Sequence, residues 1–321
     1  MTMTIVLRSL AGVFPVSPTP FEENGNPDVA SLRNLVRYLV KAGVDGITYP
    51  GVASEFGQLS ADERLMLTDV VLDEIGGRVP LVAGVSSTDA DVTIRLAQAA
   101  AKGGSAALTI AVPPQRKTAQ SQIEFFSRIA AAVPDTPVML QNVPAPVGAG
   151  LDPEVLIEFL NAVPRIQYIK EETLPSGQRL SILKHGAPEA MLGVFGGAGG
   201  RYITDELRRG ACGTMPAVEL AEVHVELFRA HRAGRSDQVR ELFTRMLPIL
   251  NVQAVFRWSL TKYVLHRRGL IQCRLQRASG PLLDAADAAD VDVDDFLRDI
   301  DDLLLPQQVL STIGGGIHGT A

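Results

Sequence analysis

The chain has 321 residues, 46% of them hydrophobic, and a formal net charge of −6. That length and composition allow a large buried core, held in one α/β barrel or in two smaller domains. The acidic balance, with no basic run interleaved with aromatics, argues against a nucleic-acid partner, and no apolar stretch reaches the ~18 residues of a membrane span.

The N-terminal "MTMTIVLRSLAGVFPVSP" lacks a signal peptide's full apolar region and cleavage site. The two cysteines, Cys212 and Cys273, show no metal-type spacing. A cytoplasmic location is the expectation, although two cysteines constrain little.

Short apolar runs alternate with amphipathic segments from about residue 12 to about residue 232. In chain order the runs are "GVFPVSP", "GITYPG", "LVAGVS", "ALTIAVP", "PVMLQNVP", "IQYIKEE", "MLGVFGG" and "CGTMPA". The segments between them carry helical periodicity and cap candidates. "SADERLMLTDVVLDEI" offers Ser60 and Glu63 as a capping box, and "STDADVTIRLAQAAAK" begins with similar residues. Continuous apolar strands separated by helices predict a parallel sheet covered by helices. Eight such units close a (β/α)8 TIM barrel. The rival, an open doubly wound sheet, would place a Gly-rich phosphate turn after the first strand, and "VFPVSPTPFEENG" is not one.

The expected organisation is an α/β barrel over residues 1–234. A C-terminal helical extension over 235–305 packs on it, and a flexible Gly-rich tail covers 306–321. "DQVRELFTRMLPILN" and "VDDFLRDIDDLLL" supply the amphipathic helices of an extension without strands.

In such a barrel the chemistry sits at the C-terminal strand ends. The second strand ends in "PGVASEFGQLS", where Gly51 permits a tight turn and Ser54 and Glu55 follow. A hydroxyl with exposed amides near Ala53 could hold a carboxylate, or Ser54 could simply cap a short turn. The fourth strand ends in "AVPPQRKT", whose Arg116 and Lys117 read most simply as solvated charges. The fifth ends at Gln141 and Asn142, which could face a ligand or only serve the turn.

The sixth strand ends "IQYIKEET". A strand-end lysine is ordinarily a solvated, ion-paired charge. Alternation, however, puts Lys170 and Glu172 on the face of Tyr168 and turns Glu171 away. An inward amine in an apolar mouth is costly to keep charged, and the neutral amine can attack a carbonyl to form a Schiff base. The seventh strand runs into "FGGAGGRY", where Gly196 and Gly197 allow either close backbone approach to a ligand or plain flexibility. His185, His224, His231, His266 and His318 avoid strand ends and form no metal-type cluster or Ser-His-Asp arrangement.

The order of these motifs resembles that of the dihydrodipicolinate synthase / N-acetylneuraminate lyase family over nearly the whole chain. The resemblance rests on "GVFPVSPTPFEENGNPD", "GVASEFGQLSADER", "RVPLVAGVSS", "QNVPAPVG", "YIKEE" and "RGACGTMP", in order and at matching spacing. It implies a (β/α)8 barrel with C-terminal helices in a homotetramer or dimer. It also implies a 2-oxo acid bound as an imine on Lys170, without a further cofactor or metal.

The departures are as informative. The family's proton-relay tyrosine falls at Gln141, and an amide cannot relay a proton as a phenol does. The synthases' second tyrosine falls at Gln115, their threonine at Val52 and their carboxylate-gripping arginine at Pro146. Dihydrodipicolinate synthase activity is therefore disfavoured. The chain looks closer to the L-2-keto-3-deoxyarabonate dehydratases, in which glutamine replaces the tyrosine. That similarity implies dehydration of a 2-keto-3-deoxy sugar acid: Lys170 as nucleophile, Glu172 as acid/base, and Gln141 orienting the leaving hydroxyl or a water. Ser54 and amides near Ala53 would hold the C1 carboxylate, with Asn142, Gly196 and Gly197 bordering the rest. A retro-aldol lyase releasing pyruvate and a non-catalytic barrel that binds 2-oxo acids are the alternatives.

Overall fold

The computed structural model describes residues 9–284 and 292–313. Eight parallel strands alternate with helices. They are β1 (Gly12–Val13), β2 (Ile47–Tyr49), β3 (Leu81–Gly84), β4 (Ala107–Ala111), β5 (Val138–Asn142), β6 (Ile166–Glu171), β7 (Gly193–Gly196) and β8 (Gly213–Thr214). Each strand pairs with its neighbour in sequence from β2 to β8, and β8 pairs with β1. A bridge between Val16 and Thr48 joins the segment after β1 to β2 and closes the (β/α)8 barrel. Every apolar run expected to form a strand does so.

The helices between the strands are α1 (Val29–Ala42), α2 (Ala61–Ile75), α3 (Ala90–Lys102), α4 (Ala119–Ala132), α5 (Pro153–Ala162), α6 (Ser176–Gly186), α7 (Ile203–Arg208) and α8 (Ala221–Arg232). Their starts follow local chemistry. Ser60 Oγ accepts from Glu63 N, and Glu63 Oε2 accepts in return from Ser60 N at 2.8 Å, completing the expected capping box. Asp89 caps α3 by accepting from Asp91 N and Val92 N.

The strand period of two sorts side chains into two cores. Leu108, Val138, Leu140, Ile169 and Val194 face the helices. Phe14, Val82, Ala107, Met139, Tyr168 and Phe195 fill the barrel interior. Phe14 and Tyr168 both meet Phe195 edge-to-face, with centroids 5.4 and 6.1 Å apart. The Tyr168 hydroxyl accepts from Leu10 N at 2.8 Å, so the interior below the mouth is packed and its polar tip satisfied. Two residues further along β6, on the same face, comes Lys170.

The extension begins as expected with a long helix, α9 (Ser236–Arg267). It is not helical throughout. Residues 268–284 are irregular, because their backbone is tied to the barrel mouth instead of to itself. Glu55, buried in the loop after β2, accepts from Arg277 N and Ala278 N at 2.6 Å each. Lys262 of α9 pairs with the same carboxylate and donates to Leu275 O at 2.6 Å. Helix α10 (Asp292–Asp299) covers only the first part of the expected second helix, followed by a 3-10 turn at Asp301–Leu303. The expected flexible tail is corrected in part: Gln307–Ile313 forms helix α11 beside α1, with Leu310 buried. The rest of that tail, residues 314–321, lies outside the described residues. Among the described residues no helix is long and apolar enough to cross a membrane.

Candidate active site

Lys170 and Gln141 are register partners on β6 and β5, and both point into the barrel. Lys170 is 4% exposed. Its Nζ lies 3.3 Å from Glu172 Oε1. The other oxygen, Oε2, accepts from Gln141 Nε2 at 2.5 Å. Oε1 also accepts from Ala198 N, in the loop after β7, at 3.2 Å. The backbone of Glu172 is pinned too, its N–H donating to Asn142 O at 2.9 Å. Gly197 makes this placement possible, since a Cβ there would collide with Glu172 Cγ. An amine and a carboxylate thus face each other at the mouth, with both carboxylate oxygens held.

Lys170 and Glu172 line a cavity of about 220 Å3. Val52 and Ala53 from the β2 loop, Val143 to Val147 from the β5 loop and Met215 to Ala217 from the end of β8 give it apolar walls. Ala198, Gly199 and Arg201 come from the β7 loop, and Gln253, Ala254, Arg257, Trp258 and Thr261 from α9. A second cavity of about 260 Å3 shares Val52, Pro146, Val147 and Trp258 with the first and is bordered by Gln115, Ser86 and Thr88.

The expected site residues divide into those that meet at this cavity and those that stand behind it. Lys170, Glu172 and Ala53 line it. Gln141 is buried and contacts Glu172, so its amide reaches the carboxylate and not the open space. Ser54 does not line the cavity. Its hydroxyl accepts from Gly51 N at 2.8 Å within the turn and donates to Ser17 O after β1, so both roles are taken. The neighbouring amides of Val52 and Ala53, at the start of that turn, make no hydrogen bond among the described residues.

Asn142 faces outward, away from the cavity. Its Nδ2 donates to both Glu171 oxygens, at 3.0 and 2.9 Å, and its Oδ1 accepts from Leu151 N at 2.8 Å. Glu171 also faces outward, as expected from alternation, and is fully buried. Thr173 N donates to it at 2.7 Å and Arg179 Nε lies 3.4 Å away. Burial pushes the Glu171 carboxyl above its usual range, against the pull of these partners. Gly196 also faces outward, where a Cβ would collide with Glu206. The stretch of the β7 loop that borders the cavity is therefore Ala198, Gly199 and Arg201, not Gly196 and Gly197.

Two further carboxyls flank the site. Glu206 accepts from Ser176 Oγ at 2.7 Å, and burial, with Glu172, Asp205 and Glu171 adding repulsion, raises its pKa to about 7. Glu219 accepts from Thr261 Oγ1 at 3.0 Å and is likewise raised by burial to about 7.

The α9 contribution is absent from the expectations drawn from sequence. Gln253, Arg257 and Thr261 all line the cavity, on either side of a break in helical geometry at Arg257. Trp258, the only tryptophan of the chain, donates from Nε1 to Val52 O at 2.8 Å and ties α9 to the β2 loop. A single tryptophan within an amphipathic segment was the available signal.

The profile of the Dihydrodipicolinate synthetase family matches residues 9–299. The L-2-keto-3-deoxyarabonate dehydratase of Azospirillum brasilense is 30% identical over 263 residues, covering 80% of this chain and 84% of that protein. A 4-hydroxy-tetrahydrodipicolinate synthase of Thermus thermophilus is 30% identical over 278 residues, covering 84% and 90%. Among solved structures, dihydrodipicolinate synthase from Rhodopseudomonas palustris superposes with a TM-score of 0.84 at 26% identity, over 91% of this chain and 98% of that one. YagE of E. coli K12, solved in complex with pyruvate, gives a TM-score of 0.82 at 26% identity, over 92% and 99%.

Proposed function

Since the chain belongs to the dihydrodipicolinate synthetase family of lyases, we propose that it is a Schiff-base hydro-lyase that removes water from a 2-keto-3-deoxy sugar acid. The observation that carries this reading is the position of the Glu172 carboxylate, 3.3 Å from Lys170 Nζ and fixed by Gln141 where the family's relay tyrosine would stand.

The amine of Lys170 attacks the C2 carbonyl carbon, and the carbonyl oxygen leaves as water, giving a protonated imine. The iminium draws electrons from C3 and acidifies its hydrogens. Glu172 takes one of these protons, leaving an enamine between C2 and C3. The enamine then pushes out the C4 hydroxyl, to which Glu172 returns the proton, so a second water departs. Hydrolysis of the unsaturated imine consumes one water, frees Lys170 and releases an unsaturated 2-oxo acid. The net change is loss of one water.

The C1 carboxylate lies against the amides of Val52 and Ala53, which make no hydrogen bond among the described residues; the Ser54 hydroxyl is not available for that role. Gln141 acts through Glu172 and needs no proton of its own. The A. brasilense relative, with its dehydratase name, supports the direction of the chemistry. The family likeness supports a homo-oligomer, a state read directly by light scattering.

The product decides between dehydration and carbon–carbon cleavage. Incubation with 2-keto-3-deoxy sugar acids should yield an unsaturated or dioxo acid without pyruvate. Stoichiometric pyruvate would instead show cleavage of C3–C4 by a retro-aldol lyase and overturn the assignment.

A further inference from the structure

The charge on the cavity wall is unbalanced. Among the described residues its charged groups are Lys170, Arg201 and Arg257 against Glu172 alone. Neither arginine forms a salt bridge among the described residues. Arg201 donates from Nη1 to the neutral Gln253 Oε1 at 2.8 Å. Arg257 lies 5.9 Å over the Trp258 ring and makes no hydrogen bond among the described residues. The two guanidiniums are close enough to repel; burial and that repulsion work against the charge of Arg201, while Tyr202 and Glu172 favour it, and the balance leaves its pKa lowered. Holding like charges beside each other in a partly buried wall is costly unless an anion arrives to pair with them. The backbone leaves helical geometry at Arg257, with φ 40° and ψ −109°, a strained conformation for a residue other than glycine.

A substrate bearing only its C1 carboxylate would leave the wall with one excess positive charge, whether Lys170 is an ammonium or an iminium. A second carboxylate removes it. We propose that Arg201 and Arg257 receive a terminal carboxylate, so that the substrate is a 2-oxo diacid, of the 2-keto-3-deoxy aldarate type, and not a simple aldonate. The inference rests on Lys170 as imine former and adds the identity of the far end. Two guanidiniums offer the fork geometry that carboxylates favour, and Gln253 holds one of them in place.

The test compares two acids of equal length, 2-oxoadipate and 2-oxohexanoate, by the concentration that half-saturates borohydride trapping. Charge-assisted hydrogen bonds predict a preference of about tenfold or more for the diacid. Replacing both arginines with glutamine should reduce that ratio to about threefold or less, whereas R201K with R257K should retain part of it. Equal half-saturation by the two acids in the unaltered protein overturns the proposal, as does a ratio that survives in the Arg201→Gln/Arg257→Gln protein. Equilibrium binding to Lys170→Ala repeats the comparison without covalent chemistry. Diacid preference there, with no trapping in the parent, would sink the imine and leave the arginine assignment standing. No preference there overturns the assignment itself.

Discussion

The side-chain amide of Gln141 donates to Glu172 Oε2 at 2.5 Å, across the mouth of the barrel from strand β5 to the residue that follows β6. The neighbouring outward pair repeats the pattern, with Asn142 holding Glu171. Two amide–carboxylate pairs, one inward and one outward, therefore fasten the ends of these strands. Only the inward pair shares the mouth with Lys170.

Replacing Glu172 with Gln keeps the shape and removes the proton acceptor. Turnover of a 2-keto-3-deoxy acid should fall by about 10²–10⁴-fold, the usual worth of a positioned acid/base group. Imine formation with pyruvate, followed by mass after borohydride, should persist. Near-normal dehydration in E172Q would remove Glu172 from the mechanism.

Gln141→Leu tests positioning. It deprives a mostly buried carboxylate oxygen of its donor, which costs ~1–3 kcal/mol, or about 5- to 150-fold in kcat where that orientation matters. The effect should fall on kcat with little change in KM, and Gln141→Asn, whose amide is one carbon short, should recover little. A KM effect alone would mean that Gln141 contacts substrate directly.

The ion pair between Lys262 and Glu55, with both side chains fully buried, fastens α9 and the irregular 268–284 segment to the β2 loop. Lys262→Met leaves Glu55 with only backbone partners, Arg277 N and Ala278 N. Loss of one member of such a pair typically costs about 3–5 kcal/mol. Urea denaturation should show that loss, and Lys262→Met combined with Glu55→Gln should recover part of it. An unchanged midpoint in the single variant would show that the pair contributes nothing to stability.

Stability should depend on pH through buried groups near the site. Glu206 and Glu219 have pKa values raised to about 7, so the folded protein binds protons that the unfolded chain has released above its ordinary carboxylate range. Their contribution is complete at low pH and is lost as pH rises through about 7. His224 acts oppositely. Burial lowers it to about 4, and its contribution is lost as pH falls through that value. Between about pH 5 and 6 the histidine offsets one of these two carboxyls, and stability falls with rising pH. Glu206→Gln mimics the protonated form and should flatten that fall. Urea melts at pH 5, 6, 7 and 8 measure it. A variant whose stability declines with pH as steeply as the parent would contradict the assignment.

The strands, the inward aim of Lys170 and the outward aim of Glu171 were legible because period-two alternation and the count of βα units are local properties. What a polar side chain bonds to is not local. Ser54 and Asn142 stand at strand ends where ligand-facing residues are expected, yet Ser17 and Leu151, brought in by the fold, take up their hydrogen bonds. Arg201 and Arg257 are not legible as a pair in the sequence, because their shared wall joins a loop to a helix more than fifty residues later. Helix α11 was hidden by its setting next to a Gly-rich end, although Leu310 and Ile313 are spaced to bury one face.

The measurement closest to the central claim is mass spectrometry of the peptide containing Lys170 after borohydride treatment with a 2-oxo acid, run in parallel with product analysis. Reduced adduct mass should appear on Lys170 and on no other lysine, E172Q should still gain it, and E172Q should form dehydrated product about 10²–10⁴-fold more slowly than the unaltered protein. Adduct mass that is missing from Lys170, while the protein dehydrates the same acid, would contradict that claim.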